Sequence, residues 1–210
     1  MNQKNNAFLT TGTITSPFIY SHKTERERFY TSFLSIRRYS GTTDTVPILI
    51  SDRVWDMNSD MTGKRVLLSG CFRSHNHVEE NHRKLQLFLF ISDLVPADED
   101  MIDRNEVLLQ GNICQHPVYR VTPKGREITN LLLAVPRDGQ QNDYIPLIVW
   151  GNNARTAGKL LCGDRLSIHG RIQSREYKKQ LEDSRIETRT TYEVSVSHLV
   201  ASSRNIMCVM

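Results

Sequence analysis

The chain has 210 residues, 39% of them hydrophobic and 24% charged, proportions at which one or two domains can each bury a core. No apolar run approaches the ~20 residues of a membrane-spanning helix, and Met1 to Ala7 lack the apolar stretch of a secretory signal; a soluble, cytoplasmic protein with no membrane partner is expected. The net charge of +4 is uneven: residues 1–103 hold 12 basic and 13 acidic side chains and residues 104–210 hold 15 and 10, so the second half carries the positive excess and suits a polyanionic partner.

In chain order, the first half opens on Gly12, Ile14 and Pro17. An alternating strand follows from Asp44 (DTVPILISD), then a strand from Gly63 (GKRVLLSGCFRS), and a last one begins at Ile91 (ISDLVPA). Between the last two, His75 to His82 is polar and reads as a solvated hairpin tip. Cys71, His75, His77 and His82 fit no common zinc spacing. With Cys114, Cys162 and Cys208 scattered and no C-x-x-C pair, neither a disulfide framework nor a metal or other cofactor is expected. The acidic segment Pro96–Asp103 reads as an exposed joint.

The second half repeats the first. Gly111, Ile113 and Pro117 answer the opening, DYIPLIVWG from Asp143 answers Asp44 onward, GDRLSIHGRIQS answers Gly63 onward, and VSHLVAS answers Ile91 onward. Similarity in constant order at offsets of 99, 100 and finally 105 residues means two copies of one domain. The expected division is a first domain over 1–97, a linker over 98–105, a second domain over 106–203 and a short tail over 204–210. In the second copy, strands are predicted over 106–114, 127–136, 144–150, 165–175 and 190–199, with a turn at Thr122–Gly125 and a helix over 153–161 stopped by Cys162-Gly163. Five strands with a helix between the third and fourth is the order of the OB barrel, so the fold class predicted is all-β with short helices, as two tandem five-stranded OB barrels.

Val107–Val135 carries Gly111-Asn112, Pro117, Arg120, Pro123 with Gly125, and Asn130 with Leu133-Ala134. Tyr144–Tyr177 continues with an aromatic opening the third strand, an aromatic before Gly151, and Tyr177 beyond Gly170. Over about 106–200 this resembles the bacterial single-stranded DNA-binding protein family; over 8–97 the resemblance comes mainly through the internal repeat. It implies non-catalytic, sequence-tolerant binding and protection of single-stranded DNA in replication, recombination or repair. Two barrels per chain imply a homodimer that assembles four. The family's housekeeping members end in an acidic, Phe-terminated tip that recruits replication and repair proteins. The ending Arg204–Met210 shows no such tip, which points to a specialised or accessory relative.

Strand alternation asks whether one surface can supply both stacking aromatics and phosphate-binding cations. In the third strand of the second copy Ile145, Leu147 and Val149 point inward, and Tyr144, Pro146, Ile148 and Trp150 outward. In the fourth, Leu166, Ile168, Gly170 and Ile172 point inward, and Arg165, Ser167, His169, Arg171, Gln173, Arg175 and Tyr177 outward, next to Lys178 and Lys179. Tyr144, Trp150 and Tyr177 are the stacking candidates. Arg171, Arg175, Lys178 and Lys179 are the phosphate candidates, with Arg120, Lys124, Arg126 and Arg137 on the flanking turns. The first copy keeps the inward Val46, Ile48 and Ile50 but has Thr45, Ser51 and His77 in the aromatic places, and reads as a degenerate binding face. Its remaining candidates are Arg37-Arg38-Tyr39 and Phe29, Tyr30 and Phe33.

No nucleophile–base pair, phosphate-cradling glycine loop or H-E-x-x-H motif occurs, so no enzyme is expected. A competing reading is a primosome-type scaffold whose barrels mainly bind replication proteins. Single-stranded RNA is a further partner, because stacking platforms do not by themselves sense the 2′-hydroxyl.

Overall fold

Among the described residues, the first half forms six strands: β1 (Asn6–Ile14), β2 (Ile19–Lys23), β3 (Arg28–Arg37), β4 (Thr43–Ser51), β5 (Arg65–Glu79) and β6 (His82–Pro96). The second half forms β7 (Asn105–Ile113), β8 (Val118–Val121), β9 (Glu127–Arg137), β10 (Gln141–Trp150), the helix α1 (Asn152–Ala157), β11 (Arg165–Gln180) and β12 (Ile186–Ser202). The computed structural model describes residues 5–79, 82–138, 141–180 and 186–202, without the side chains of 77–79, 82–84 and 178–180.

The two halves share one topology. In the first, β3 pairs antiparallel with β4, β4 parallel with β6, β6 antiparallel with β5 and β5 antiparallel with β1, and β1 returns to β3 at Thr13↔Ser35 to close a five-stranded barrel. In the second, the same circuit runs β9, β10, β12, β11, β7 and closes on β9 at Asn112↔Ala134. Closure brings backbones together where only glycine fits. A Cβ built on Gly111 would lie 2.3 Å from the Ala134 carbonyl oxygen, and one on Gly12 would lie 2.6 Å from that of Ser35, the equivalent place in the other copy. The alternation predicted for the core holds: Val46, Ile48, Ile50, Ile145, Leu147, Val149, Leu166, Ile168 and Ile172 are all buried. Each half is thus an OB barrel.

Several elements depart from the sequence reading. The short edge strands β2 and β8, exposed along their whole length, were not anticipated; they lack the alternation that a half-buried strand shows. The helix is shorter than 153–161: the Gly158 amide makes the last i→i−4 bond, to the Ala154 carbonyl, and beyond it the Lys159 and Leu160 amides tighten onto Thr156 and Ala157, three residues back. The polar His75 segment continues the strands of the hairpin: β5 and β6 pair from Val66↔Pro96, through a register shift between Ser69 and Gly70, out to Glu79↔His82. His75 and Asn76 are consecutive and both exposed, and the polar sequence from His75 to His82 offers no hydrophobic period to read. The side chains of His77 and His82 lie outside the described residues, and among the described residues no three His, Cys, Asp or Glu side chains gather as a metal site. No helix among them is long and apolar enough to cross a membrane.

The chain forms two compact units that cut across the repeat. One comprises residues 106–171 and 194–210 with 1–7; the other comprises 8–105 together with 172–193. The far ends of β11 and β12, called the arm below, thus belong to the same unit as β1–β6. Chemistry within that unit explains the membership: the Ser174 amide donates to Asp44 Oδ1 at 2.7 Å, and the Asn105 side chain holds Ile172 by its N–H and its carbonyl. The acidic joint is anchored too, with Asp103 2.8 Å from the Arg65 guanidinium, which also donates to the Met101 carbonyl.

Candidate nucleic-acid interface

The unit built on residues 106–171 presents an open surface cavity of about 730 Å³ where the ends of β8 and β10 and the start of β9 meet the middle of β11 and β12. Trp150, Arg126, Arg155, Arg171, Glu127 and Ser195 line it. Trp150 ends β10 with 37% of its surface exposed, and its indole Nε1 donates to Ser195 Oγ at 3.1 Å. That bond fixes the ring's edge and leaves a face accessible, which lowers the entropic cost of stacking a base on it. Arg126 follows the tight turn Thr122–Gly125, where Gly125 has φ 74°, a left-handed value that glycine adopts without strain. Arg171 is half-buried on β11.

Charge on this surface is partly internal. Arg155 Nε lies 2.7 Å from Glu127, and the Tyr119 hydroxyl donates to the same carboxylate at 2.9 Å. Those two donors hold the Glu127 carboxyl below its ordinary pKa, and the carboxylate in return holds the Arg155 guanidinium above its own. Glu127 therefore stays ionised and offsets Arg155; Arg126 and Arg171 line the same cavity.

The other candidates divide. Tyr144 is half-buried on β10, with Ala134 of β9 beside it. Ile148, expected outward, is only 4% exposed: β10 is an inner strand, and Asn130 and Ser195 flank Ile148 on the same face. Arg120 and Lys124 are exposed on β8 and its turn. Arg137 is tied to the fold, its Nε donating to Asp143 at 3.3 Å and its Nη2 closing the pair on a carboxylate with almost no exposure.

Arg175 and Tyr177 lie on the arm and so belong to the other unit. Tyr177 is 39% exposed, and the Arg175 guanidinium sits 6.0 Å from its ring centroid, at the limit of a cation–π contact. Arg175 also lies 3.8 Å from Glu193. Gln173, expected outward, is buried because its amide donates to Glu193 at 2.8 Å. The side chains of Lys178 and Lys179 lie outside the described residues.

The first barrel holds residues that sequence reasoning missed. Phe88 and Phe90 alternate outward from β6, and Phe90 stands beside Leu49 of β4 and Cys71 of β5. Arg73 lies 5.4 Å above the Phe90 ring, Phe29 tilts against Phe90, and His22 stacks on Phe29 at 4.8 Å. The signal was the alternation LQLFLFI from Leu85 to Ile91, in which Leu85, Leu87, Leu89 and Ile91 take the inner face and leave both phenylalanines outside. Phe33 is exposed, and Tyr39 wholly so, beside Arg37 at the β3–β4 turn. Ser51 stands where Trp150 does, ending β4 opposite Phe29 as Trp150 ends β10 opposite Ile128, but it is buried and accepts a turn hydrogen bond from the Arg53 amide.

Fold and surface together define a tandem OB-barrel protein with aromatic and basic side chains on its outer strands. Residues 104–201 match the single-strand binding protein family. The chain is 39% identical over 80 residues to single-stranded DNA-binding protein 3 of Clostridium acetobutylicum, covering 35% of this chain and 56% of that one. To the single-stranded DNA-binding protein of Thermus thermophilus it is 26% identical over 145 residues, covering 60% and 55%. The matches thus span little more than half the length of these curated relatives. The crystal structure of the wild-type single-stranded DNA binding protein from Thermus aquaticus superposes with a TM-score of 0.73 over 95% of this chain and 93% of that one, at 20% identity, which shows a shared fold. The chain thus carries tandem OB domains, the second of which is similar to the single-strand binding protein family.

Proposed function

We propose that this chain binds single-stranded DNA without sequence preference and shields it during replication, recombination or repair, in the cytoplasm and without catalysis. The observation that carries this reading is Trp150: an indole held by Ser195 with an accessible face, beside Arg126 and Arg171 in one open cavity. Bases have π-faces and strands have phosphates, and this cavity offers a partner for each. Tyr144, Arg120 and Lys124 extend the surface along β10 and β8. Arg175, Tyr177, Lys178 and Lys179 on the arm supply further contacts, and Arg137 supports the fold from its pair with Asp143. The single-strand binding protein family matches residues 104–201, the segment that carries the cavity. Self-association of two chains, giving four barrels, completes the proposal; single-stranded RNA is a secondary ligand of the same chemistry.

The test is a fluorescence titration with oligo-dT at several salt concentrations. The chain has two tryptophans, so Trp55→Phe is used as background and Trp150 alone reports. Saturable quenching that weakens with salt is expected. No quenching and no affinity at low salt would overturn the proposal and leave a protein-binding scaffold as the better account.

A further inference from the structure

We propose that the Arg38–Asp44 ion pair is a latch that orients the arm (residues 172–180 and 186–193), so that Asp44 is a positioning residue for single-strand binding although it offers no surface to a strand. The inference rests on the single-strand reading above and adds to it a control point within the unit formed by residues 8–105 and 172–193.

Asp44 opens β4 with its side chain fully buried. Four donors converge on its carboxylate: Arg38 Nε at 2.6 Å, Arg38 Nη2 at 2.5 Å, the Ser174 amide at 2.7 Å and the Ser174 hydroxyl at 2.9 Å. Arg38 Nη2 also donates to the Ser174 carbonyl at 3.0 Å. The pair thus satisfies both backbone groups of Ser174, the acceptor serving the N–H and the donor serving the C=O. Two side chains stand in for one rung of a strand ladder and fix the register of β11 at that residue.

Register decides which way the next residues face. With Ser174 turned toward Asp44, Arg175 and Tyr177 fall on faces set by the strand's period of two. Arg175 is exposed between Glu193 and the Tyr177 ring, and Tyr177 is open to solvent. A slip of one residue at Ser174 would reverse both. Nothing in this geometry needs Asp44 to meet nucleic acid; it acts through the two side chains that do.

The experiment uses the full chain. Arg38→Gln with Asp44→Asn removes both charges at once and leaves the net charge unchanged, so a change in affinity cannot come from the overall field. Ser174→Ala, a milder change, keeps the test open if the double variant melts. Each is titrated with oligo-dT by anisotropy, checked by circular dichroism, and followed by hydrogen exchange over 172–180. The expected results are at least tenfold weaker binding for the double variant, a few-fold weakening for Ser174→Ala, and faster exchange confined to the arm. In a cycle with Arg175→Ala/Tyr177→Ala the losses must be non-additive, because the latch works through those residues; a merely structural role would leave them additive. If the wild-type chain bound no oligo-dT, the single-strand reading would fall and the affinity claim with it. If it bound, and the latch variants bound equally, gave an additive cycle or kept the arm protected, the latch would fall while the single-strand reading stood.

Discussion

Trp150 shows how a single side chain is prepared for a ligand. Its N–H is satisfied by Ser195, so the indole needs no polar partner from a bound strand and can give its face to a base. Trp150→Ala is therefore expected to weaken oligo-dT binding by about 1–3 kcal/mol with the circular dichroism spectrum intact, and Tyr177→Ala by a similar amount. Wild-type affinity in a folded Trp150→Ala/Tyr177→Ala chain would show that neither ring stacks bases. Asp44 illustrates the opposite case, a charge kept from solvent. Burial pushes its carboxyl upward, but the hydrogen bonds from Arg38 and Ser174 outweigh that and hold it below the ordinary value. A depressed carboxylate contributes stability that is fully present above its unfolded pKa, about 3.9, and is lost as pH falls through the folded value. In acid titrations below about pH 4 the wild-type chain is expected to lose this contribution. Asp44→Asn, less stable near neutrality, should show a shallower acid decline; parallel profiles for the two would remove Asp44 from the account.

At the scale of elements, strands with one buried face were legible and those with two wet faces were not. β4, β10 and the inner part of β11 alternate because the barrel interior takes every second residue, and their orientation follows from the sequence. β2 and β8 are exposed along their whole length and the β5–β6 hairpin is polar from His75 to His82, so these segments carry no such period and pass for loops. The candidate site was legible for the same reason where it sits on alternating strands: Trp150 and Tyr177 are exposed and Arg171 is half-buried. It failed at Ile148 and Gln173, whose burial comes from neighbours on adjoining strands that period alone cannot supply. Arg137 looked like a phosphate ligand, although Arg38 and Asp44 recur at the same offset as Arg137 and Asp143, six residues apart across the turn in each copy. A pair kept in both repeats is a structural signal, and reading it would have separated Arg137 from the binding face. For the basic elements that remain, the salt response is the measure. Arg171→Glu is expected to lower the slope of log affinity against log salt by about 0.7 or more, since single strands release roughly that many counterions per phosphate contact. An unchanged slope would place Arg171 away from the backbone path.

Across the whole molecule, duplication has kept the barrel and let the surface drift. Both copies close through the same glycine contact and the same circuit of strands, so the inward faces still specify the fold while the outward faces are free to differ. In the first copy Phe29 and Phe90 are occupied with each other and with His22 and Arg73, and among the described residues its exposed aromatics are Tyr20, Phe33 and Tyr39, in a half with one more acid than base. In the full chain, Phe33→Ala/Tyr39→Ala should therefore weaken binding far less than Tyr144→Ala/Trp150→Ala. Cutting the chain at the joint is a different operation from disabling one face, because the compact units do not follow the repeat. A fragment of residues 104–203 keeps Tyr144, Trp150, Arg171, Arg175 and Tyr177, but it loses Asp44 and Arg38, which hold Ser174. It also loses the remainder of the unit to which residues 172–193 belong. The fragment is expected to bind oligo-dT detectably, because the Trp150 cavity lies wholly within it, yet more weakly than the intact chain and with faster hydrogen exchange over 172–180. A fragment binding as tightly as the full chain, with its arm equally protected, would show that the first half adds nothing to the binding surface of the second.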